Sequence, residues 1–219
     1  MKATYQDLKL LLELGIVDDI HDDMYRGFSQ GSISHAELLE WVTPICNKYG
    51  IEKWSLNKEG LVDVDGSVNL SGQNLTRLPL RFGKVTDGFW CHNNYLTTLE
   101  GAPKKVDSFF DCCNNQLTTL GGAPRLVGYS FYCDNNYLTT LEGAPREVGE
   151  DFLCNNNYLT TLDGAPLEVG KSFSCSHNQL TSLEGAPKEV GGSFWCGSNQ
   201  LTNLEGIGKV RSQIYSDIK

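Results

Sequence analysis

No run of roughly 18 apolar residues occurs in this chain, so nothing in it reads as a membrane-spanning helix. Positive charge is also scarce. Eighteen Lys and Arg stand against 27 Asp and Glu, a formal net charge of −9. A surface of that sign is poorly matched to the phosphates of nucleic acids or anionic lipids. The opening residues, Met1-Lys2-Ala3-Thr4-Tyr5-Gln6-Asp7, contain no apolar signal core before a small-residue cleavage site. Leu8, Leu10, Leu11, Leu12 and Leu14 follow, but Lys9 and Glu13 interrupt them, which fits a helix face. The expected setting is a reducing cytoplasm. Disorder is also excluded, because 40% of the residues are hydrophobic.

What the chain does have is a period. Asn94-Tyr95-Leu96-Thr97-Thr98-Leu99-Glu100-Gly101-Ala102-Pro103 returns with small changes every 21 residues. Its first leucine recurs as Leu75, Leu96, Leu117, Leu138, Leu159, Leu180 and Leu201. Ahead of each full copy runs Val-x-x-x-Phe-x-Cys, with Phe89, Phe110, Phe131, Phe152, Phe173 and Phe194, and Cys91, Cys112, Cys133, Cys154, Cys175 and Cys196. A fixed period of this length marks a stacked-repeat architecture.

The composition of the repeat follows from stacking. Phe-x-Cys alternates, so it reads as a short strand with Phe and Cys inward, and stacked copies form a parallel sheet. The asparagine at 94, 115, 136, 157, 178 and 199 sits where the chain must turn. There it can satisfy turn backbone groups and pair with its counterpart in the next coil. Gly-Ala-Pro makes the tight return, with the glycine free to take φ > 0. Six of the eight cysteines occupy one inward position, which is the use of cysteine as a small hydrophobe and not a disulfide framework.

Residues 1–63 read as a helical N-terminal cap ending in a β-hairpin. A short helix is expected to end near Gly15. The cluster Asp18-Asp19-Ile20-His21-Asp22-Asp23 reads as a solvated helix start rather than a cation site, and Gly27 to Gly31 as a loop. Ser34-His35-Ala36-Glu37 has the capping-box pattern before a helical run of Leu38, Trp41, Val42, Ile45, Cys46 and Tyr49. Pro44 is expected to kink or shorten that helix, and Gly50 to stop it. Trp54, Leu56, Val62 and Val64 alternate about a turn at Asn57-Lys58-Glu59-Gly60, the pattern of a hairpin. Asp63-x-Asp65-Gly66 lacks the later ligands and closing glutamate of a calcium loop. Residues 64–205 form the solenoid of 21-residue repeats, starting from a degenerate copy through Val64, Val68, Leu70, Asn74, Leu75 and Leu78. Residues 206–219 form a polar C-terminal cap, with Val210 and Ile214 as a last partial strand slipped by one residue.

The segment Phe152-Leu153-Cys154-Asn155-Asn156-Asn157-Tyr158-Leu159-Thr160-Thr161-Leu162 resembles the leucine-rich repeat pattern Leu-x-Leu-x-x-Asn-x-Leu-x-x-Leu. Its following proline looks like that of the short repeats of bacterial effector proteins. The wording Asn-Asn-x-Leu-Thr-Thr-Leu-Glu-Gly-Ala-Pro-x-x-Val-Gly-x-x-Phe-x-Cys is similar to repeat proteins of tailed bacteriophages and some bacteria. The resemblance covers about residues 64–214. It implies a curved parallel sheet whose concave strand face binds protein, with an irregular convex side. It also implies a phage-encoded inhibitor or adaptor of a bacterial host defence protein, acting in the host cytoplasm. This chain departs from the pattern in using Phe and Cys for two strand leucines, and in its Val-Gly segment.

The positions that the repeat leaves free are those on which a partner can be encoded. With Phe and Cys inward, three lanes face out. One carries Gly88, Phe109, Ser130, Asp151, Ser172 and Ser193. The middle lane carries Trp90, Asp111, Tyr132, Leu153, Ser174 and Trp195. The third carries His92, Cys113, Asp134, Asn155, Ser176 and Gly197. Trp90, Tyr132, Leu153 and Trp195 are expected to be large and exposed, as interface anchors are. The lanes hold three Asp and no Lys or Arg, so the natural complement is a protein with basic and apolar groups. The expected partner-binding residues are Trp90, His92, Phe109, Asp111, Tyr132, Asp134, Asp151, Leu153 and Trp195. Self-association as a structural protein is the alternative.

Other classes compete weakly. His92, Cys113 and Asp134 share one lane, but the cysteine lies between the other two, so the acid cannot orient the far side of the histidine. The same three could bind zinc. Lys104, Lys105, Arg125, Arg146 and Lys188 follow the prolines, away from the aromatic lane, which removes the phosphate contacts that base-stacking would need. No enzymatic activity, metal, cofactor, nucleic acid or membrane is expected.

Overall fold

The structure, a computed structural model, describes residues 4–13 and 20–218. The expected helix end near Gly15 and the residues Asp18 and Asp19 lie outside them.

Three helices come first: α1 (Tyr5–Glu13), α2 (His21–Ser29) and α3 (His35–Lys48). Asp22 and Asp23 fall in the first turn of α2, where carboxylates favour the positive end of the helix dipole. Gly27, expected in a loop, is instead buried inside α2, and a Cβ there would lie 2.4 Å from Ile33 Cγ1. The glycine is set by packing, and the turn comes later, at Gly31 with φ +72°. The capping box forms as expected. Glu37 N–H donates to Ser34 Oγ, and Ser34 N–H donates to Glu37 Oε2 at 2.7 Å. Pro44 lies inside α3 without ending it, and Gly50 follows the helix with φ +61°.

The hairpin of β1 (Trp54–Leu56) and β2 (Val62–Val64) is antiparallel. Everything after it is a mainly-β repeat solenoid in which each coil contributes a strand to each of two sheets. One is the sheet expected from Phe-x-Cys. It comprises β3 (Val68–Asn69), β5 (Phe89–Trp90), β7 (Phe110–Asp111), β9 (Phe131–Tyr132), β11 (Phe152–Leu153), β13 (Phe173–Ser174), β15 (Phe194–Trp195) and β17 (Ile214–Tyr215). The return side of the coil, where irregular chain is expected, carries a second parallel sheet. Its strands are β4 (Phe82–Val85), β6 (Lys105–Val106), β8 (Leu126–Val127), β10 (Glu147–Val148), β12 (Glu168–Val169), β14 (Glu189–Val190) and β16 (Lys209–Val210), and it continues into β2 and β1. The final coil is one residue short, pairing Phe194 with Ile214 and Glu189 with Lys209.

Between the sheets lie the side chains that the repeat holds constant. Phe89, Phe110, Phe131, Phe152, Phe173 and Phe194 are fully buried. Their rings stack along the axis, 5.3 Å apart and 9° from parallel for Phe131 and Phe152. All eight cysteines are buried free thiols. Asn136 and its equivalents do not pair with one another. Each donates to turn carbonyls of its own coil and to one of the coil before, and accepts a main-chain N–H from that coil. At the corner after each valine, Gly128, Gly149, Gly170 and Gly191 bring successive coils together. A Cβ on Gly149 would lie 1.9 Å from the carbonyl oxygen of Gly128.

The helices cover the first coil. Arg81 N–H donates to the Tyr25 hydroxyl at 2.9 Å, and its guanidinium lies over the Tyr25 ring, 5.2 Å from the centroid. Phe28 and Leu38 pack so closely on Gly60 that a Cβ there would meet both within 3 Å. At the other end the last strand is less polar than the sequence implied. Ile214 is 42% exposed in the register of the core phenylalanines.

Candidate functional site on the strand face

Strict coil-to-coil pairing turns the middle lane into one continuous row. Trp90, Asp111, Tyr132, Leu153, Ser174, Trp195 and Tyr215 are successive register partners. A strand of two ordered residues offers one inward and one outward side chain, so identity here is free of core packing.

The row is less exposed than the sequence implied. Trp195 alone of the four expected anchors is exposed, at 40%, while Trp90, Tyr132 and Leu153 are half-buried. Neighbouring side chains cover the rest. The Trp90 indole folds over Gly88, whose absent Cβ would lie 2.3 Å from its Cη2. Phe109 packs between Tyr132 and Tyr129, at centroid distances of 6.4 and 5.5 Å. Trp195 stacks on Tyr215 at 3.6 Å. Rings held in this way are pre-ordered, which lowers the entropy lost on binding.

The acids beside them are held by hydrogen bonds. Asp111 Oδ1 accepts from Cys113 N–H at 3.0 Å, and its other oxygen lies 3.9 Å from His92 Nε2. Asp134 Oδ1 accepts from the Cys113 thiol at 2.9 Å, and Oδ2 from Asn135 Nδ2 at 3.0 Å. Asp151 Oδ1 accepts from Ser172 N–H at 2.8 Å. All nine expected residues therefore share one face. Lys104, Arg125, Arg146 and Lys188 precede the strands of the opposite sheet.

The Cys113 thiol sits in the wrong electrostatic surroundings for a nucleophile. Burial, then the Asp111 charge, then the hydrogen bond to Asp134 push its pKa far upward, so it stays protonated. Asp134 contacts Cys113, and the carboxylate near His92 is Asp111. Among the described residues no group of three His, Cys, Asp or Glu is placed to hold a metal. No described helix is long and apolar enough to cross a membrane.

Apart from Tyr129, which is 48% exposed beside Phe109, the most exposed aromatics lie elsewhere. Tyr95, Tyr137 and Tyr158, just after the buried asparagines, are about half exposed. They sit inside the wording of the repeat, which hides them from a reading that looks only at variable positions. The signal available was the exchange of Tyr for Gln at that position in other coils.

No family model, curated protein or solved structure matches the chain.

Proposed function

We propose that this protein is a non-enzymatic interaction module that binds a protein partner across its strand face. The observation that carries the reading is the middle row: along a solenoid whose inward lanes are nearly invariant, it holds Trp90, Tyr132, Leu153 and Trp195, interleaved with Asp111 and flanked by Asp134 and Asp151. Pre-ordered aromatic anchors beside hydrogen-bonded carboxylates suit a partner with basic and apolar groups. The resemblance to leucine-rich repeat proteins and to phage repeat proteins supplies a setting, an inhibitor or adaptor of a host protein in the bacterial cytoplasm.

The test is affinity capture from bacterial lysate with the intact protein and with a Trp90→Ala, Tyr132→Ala, Trp195→Ala triple variant. A host protein held by the first and lost from the second supports the reading. Identical captures refute it.

Self-association is the second reading, favoured by one observation. Ile214 and Tyr215 are exposed on β17, the outermost strand of its sheet. An uncovered edge strand is a template for pairing. Sedimentation of the purified protein separates the two readings.

A further inference from the structure

The first and last coils of the solenoid are finished differently. At the first coil, Val62, Val64, Val68, Leu70, Leu78 and Leu80 are at most 2% exposed. At the last, Leu201, Leu204, Ile207 and Val210 are only partly buried, and Ile214 and Tyr215 are exposed. The repeat itself changes there. Ile214-Tyr215-Ser216 stands where earlier coils have Phe-x-Cys, and the coil is one residue short. A terminal coil normally turns a polar face to water, yet this one leaves an isoleucine in the register of the core phenylalanines.

The main chain is open at the same place. In each inner coil the N–H at the phenylalanine position donates to the coil that follows, as Phe173 does to Ser193 and Phe194 to Gln213, at 3.0 and 2.9 Å. Ile214 holds that position in β17, and no coil follows it among the described residues. By the pattern of a parallel ladder, its N–H and its carbonyl both point away from β15. In the opposite sheet the Val190 carbonyl accepts from Arg211 N–H at 3.0 Å. Val210, its counterpart in β16, has no such donor among the described residues.

We propose that this edge pairs with a second copy of the chain across a two-fold axis normal to the sheets, β17 against β17 and β16 against β16. The proposal sharpens the self-association reading and rests on it. What selects a second copy is that the edge complements itself. Antiparallel pairing of Ile214 with Ile214 of the second copy closes two N–H···O bonds. Opposed residues share a face, so both isoleucines turn inward and continue the phenylalanine stack. In the same register Gln213 opposes Tyr215 of the second copy, and Arg211 lies on the side of its Asp217. Both charges are exposed and already held in place. Arg211 Nε donates to Glu189 Oε1 at 2.6 Å, and Asp217 accepts from Ser198 N–H. Head-to-tail contact would need a second open end, and the first coil is covered, so the contact closes as a symmetric pair. The two strand faces then lie on one side of a continuous sheet, and pairing leaves Trp90 and Tyr132 uncovered.

The test is sedimentation velocity of the purified 219-residue chain over a range of concentrations. A reversible monomer–dimer equilibrium is expected. Ile214→Pro removes only an N–H that points out of the molecule, and it weakens the dimer about tenfold or more. Arg211→Asp and Asp217→Arg each weaken it as well. An equimolar mixture of those two variants forms a heterodimer, because each supplies the charge that the other has lost. Tyr132→Ala on the strand face leaves the equilibrium unchanged. Circular dichroism checks that each variant is folded. A dimer indifferent to Ile214→Pro and to the charge changes, or assemblies larger than a dimer, overturns this proposal and leaves self-association standing. A monomer at every concentration overturns both.

Discussion

The side-chain carbonyl of Asn136 accepts the main-chain N–H of Leu117, nineteen residues earlier and one coil back, at 3.0 Å. The amide of the same residue donates to the carbonyls of Cys112, again one coil back, and of Cys133 in its own turn, at 3.0 and 3.2 Å. One side chain thus ties two coils at a turn where neither sheet reaches. Asn136→Ala strands the buried N–H of Leu117, while the Cys112 and Cys133 carbonyls each keep one amide donor, from Asn115 and Asn157. It is expected to cost about 1–3 kcal/mol by urea unfolding. Asn199→Ala, in the half-buried equivalent near the last coil, is expected to cost less, because water can replace the lost partner. Equal costs at the two sites would contradict this account of the ladder.

The phenylalanine stack contributes the largest fully buried side chain of each repeat. Phe152→Ala removes a fully buried ring that stacks on Phe131 at 5.3 Å and on Phe173 at 5.5 Å. The expected loss is about 3–5 kcal/mol. Because repeats stabilise one another through neighbours, hydrogen exchange should rise first in coils next to residue 152. A uniform rise over the whole chain would argue for a single global core instead.

Two glycines separate close approach from mere flexibility. Gly149→Ala places a methyl 1.9 Å from the Gly128 carbonyl oxygen, a clash with the backbone of the preceding coil. A loss of about 1–3 kcal/mol is expected from the forced backbone shift. Gly121→Ala meets nothing nearer than Thr119 Oγ1 at 3.6 Å and has no positive φ. It is expected to be neutral or stabilising by up to about 1 kcal/mol, through a less flexible unfolded chain. Melting temperatures of the two variants check the contrast.

Thiol chemistry gives an independent check on burial. Burial pushes Cys46 up to about 12 and Cys196 up to about 11, and the other thiols are also raised. The thiolate is the reactive form, so the native protein at pH 8 is expected to show no fast-reacting thiol with a disulfide reagent. All eight should react after denaturation. Raising the pH should make Cys196 the first native thiol to respond, since it has the lowest of these values that can be reached before unfolding. Rapid labelling of Cys113 at pH 8 would contradict its burial and its bond to Asp134.

The period, the inward phenylalanines and cysteines, the capping box, the hairpin and the slipped last strand were all legible in the sequence, because each rests on a repeated or local residue pattern. The second sheet was not. Its strands contribute one inward valine each, and their outward partner changes from Lys105 to Leu126 to Glu147, so no alternation is long enough to see. The glycines that permit it were visible, but a close approach between coils is a tertiary fact. Membership of the strand-face lanes was legible from the inward set. Exposure was not, because it depends on rotamers that no residue pattern states: Trp90 folds over Gly88 within its own coil, and Phe109 packs onto Tyr132 of the next coil, 23 residues on.

The measurement that reaches the central claim most directly is site-specific photocrosslinking in bacterial cells. A benzophenone side chain placed at Leu153, half-buried on the strand face, is compared with one at the exposed Leu126 on the opposite sheet. The strand-face account predicts a discrete adduct with another protein from position 153 and none from position 126. An adduct from position 126 alone would contradict it.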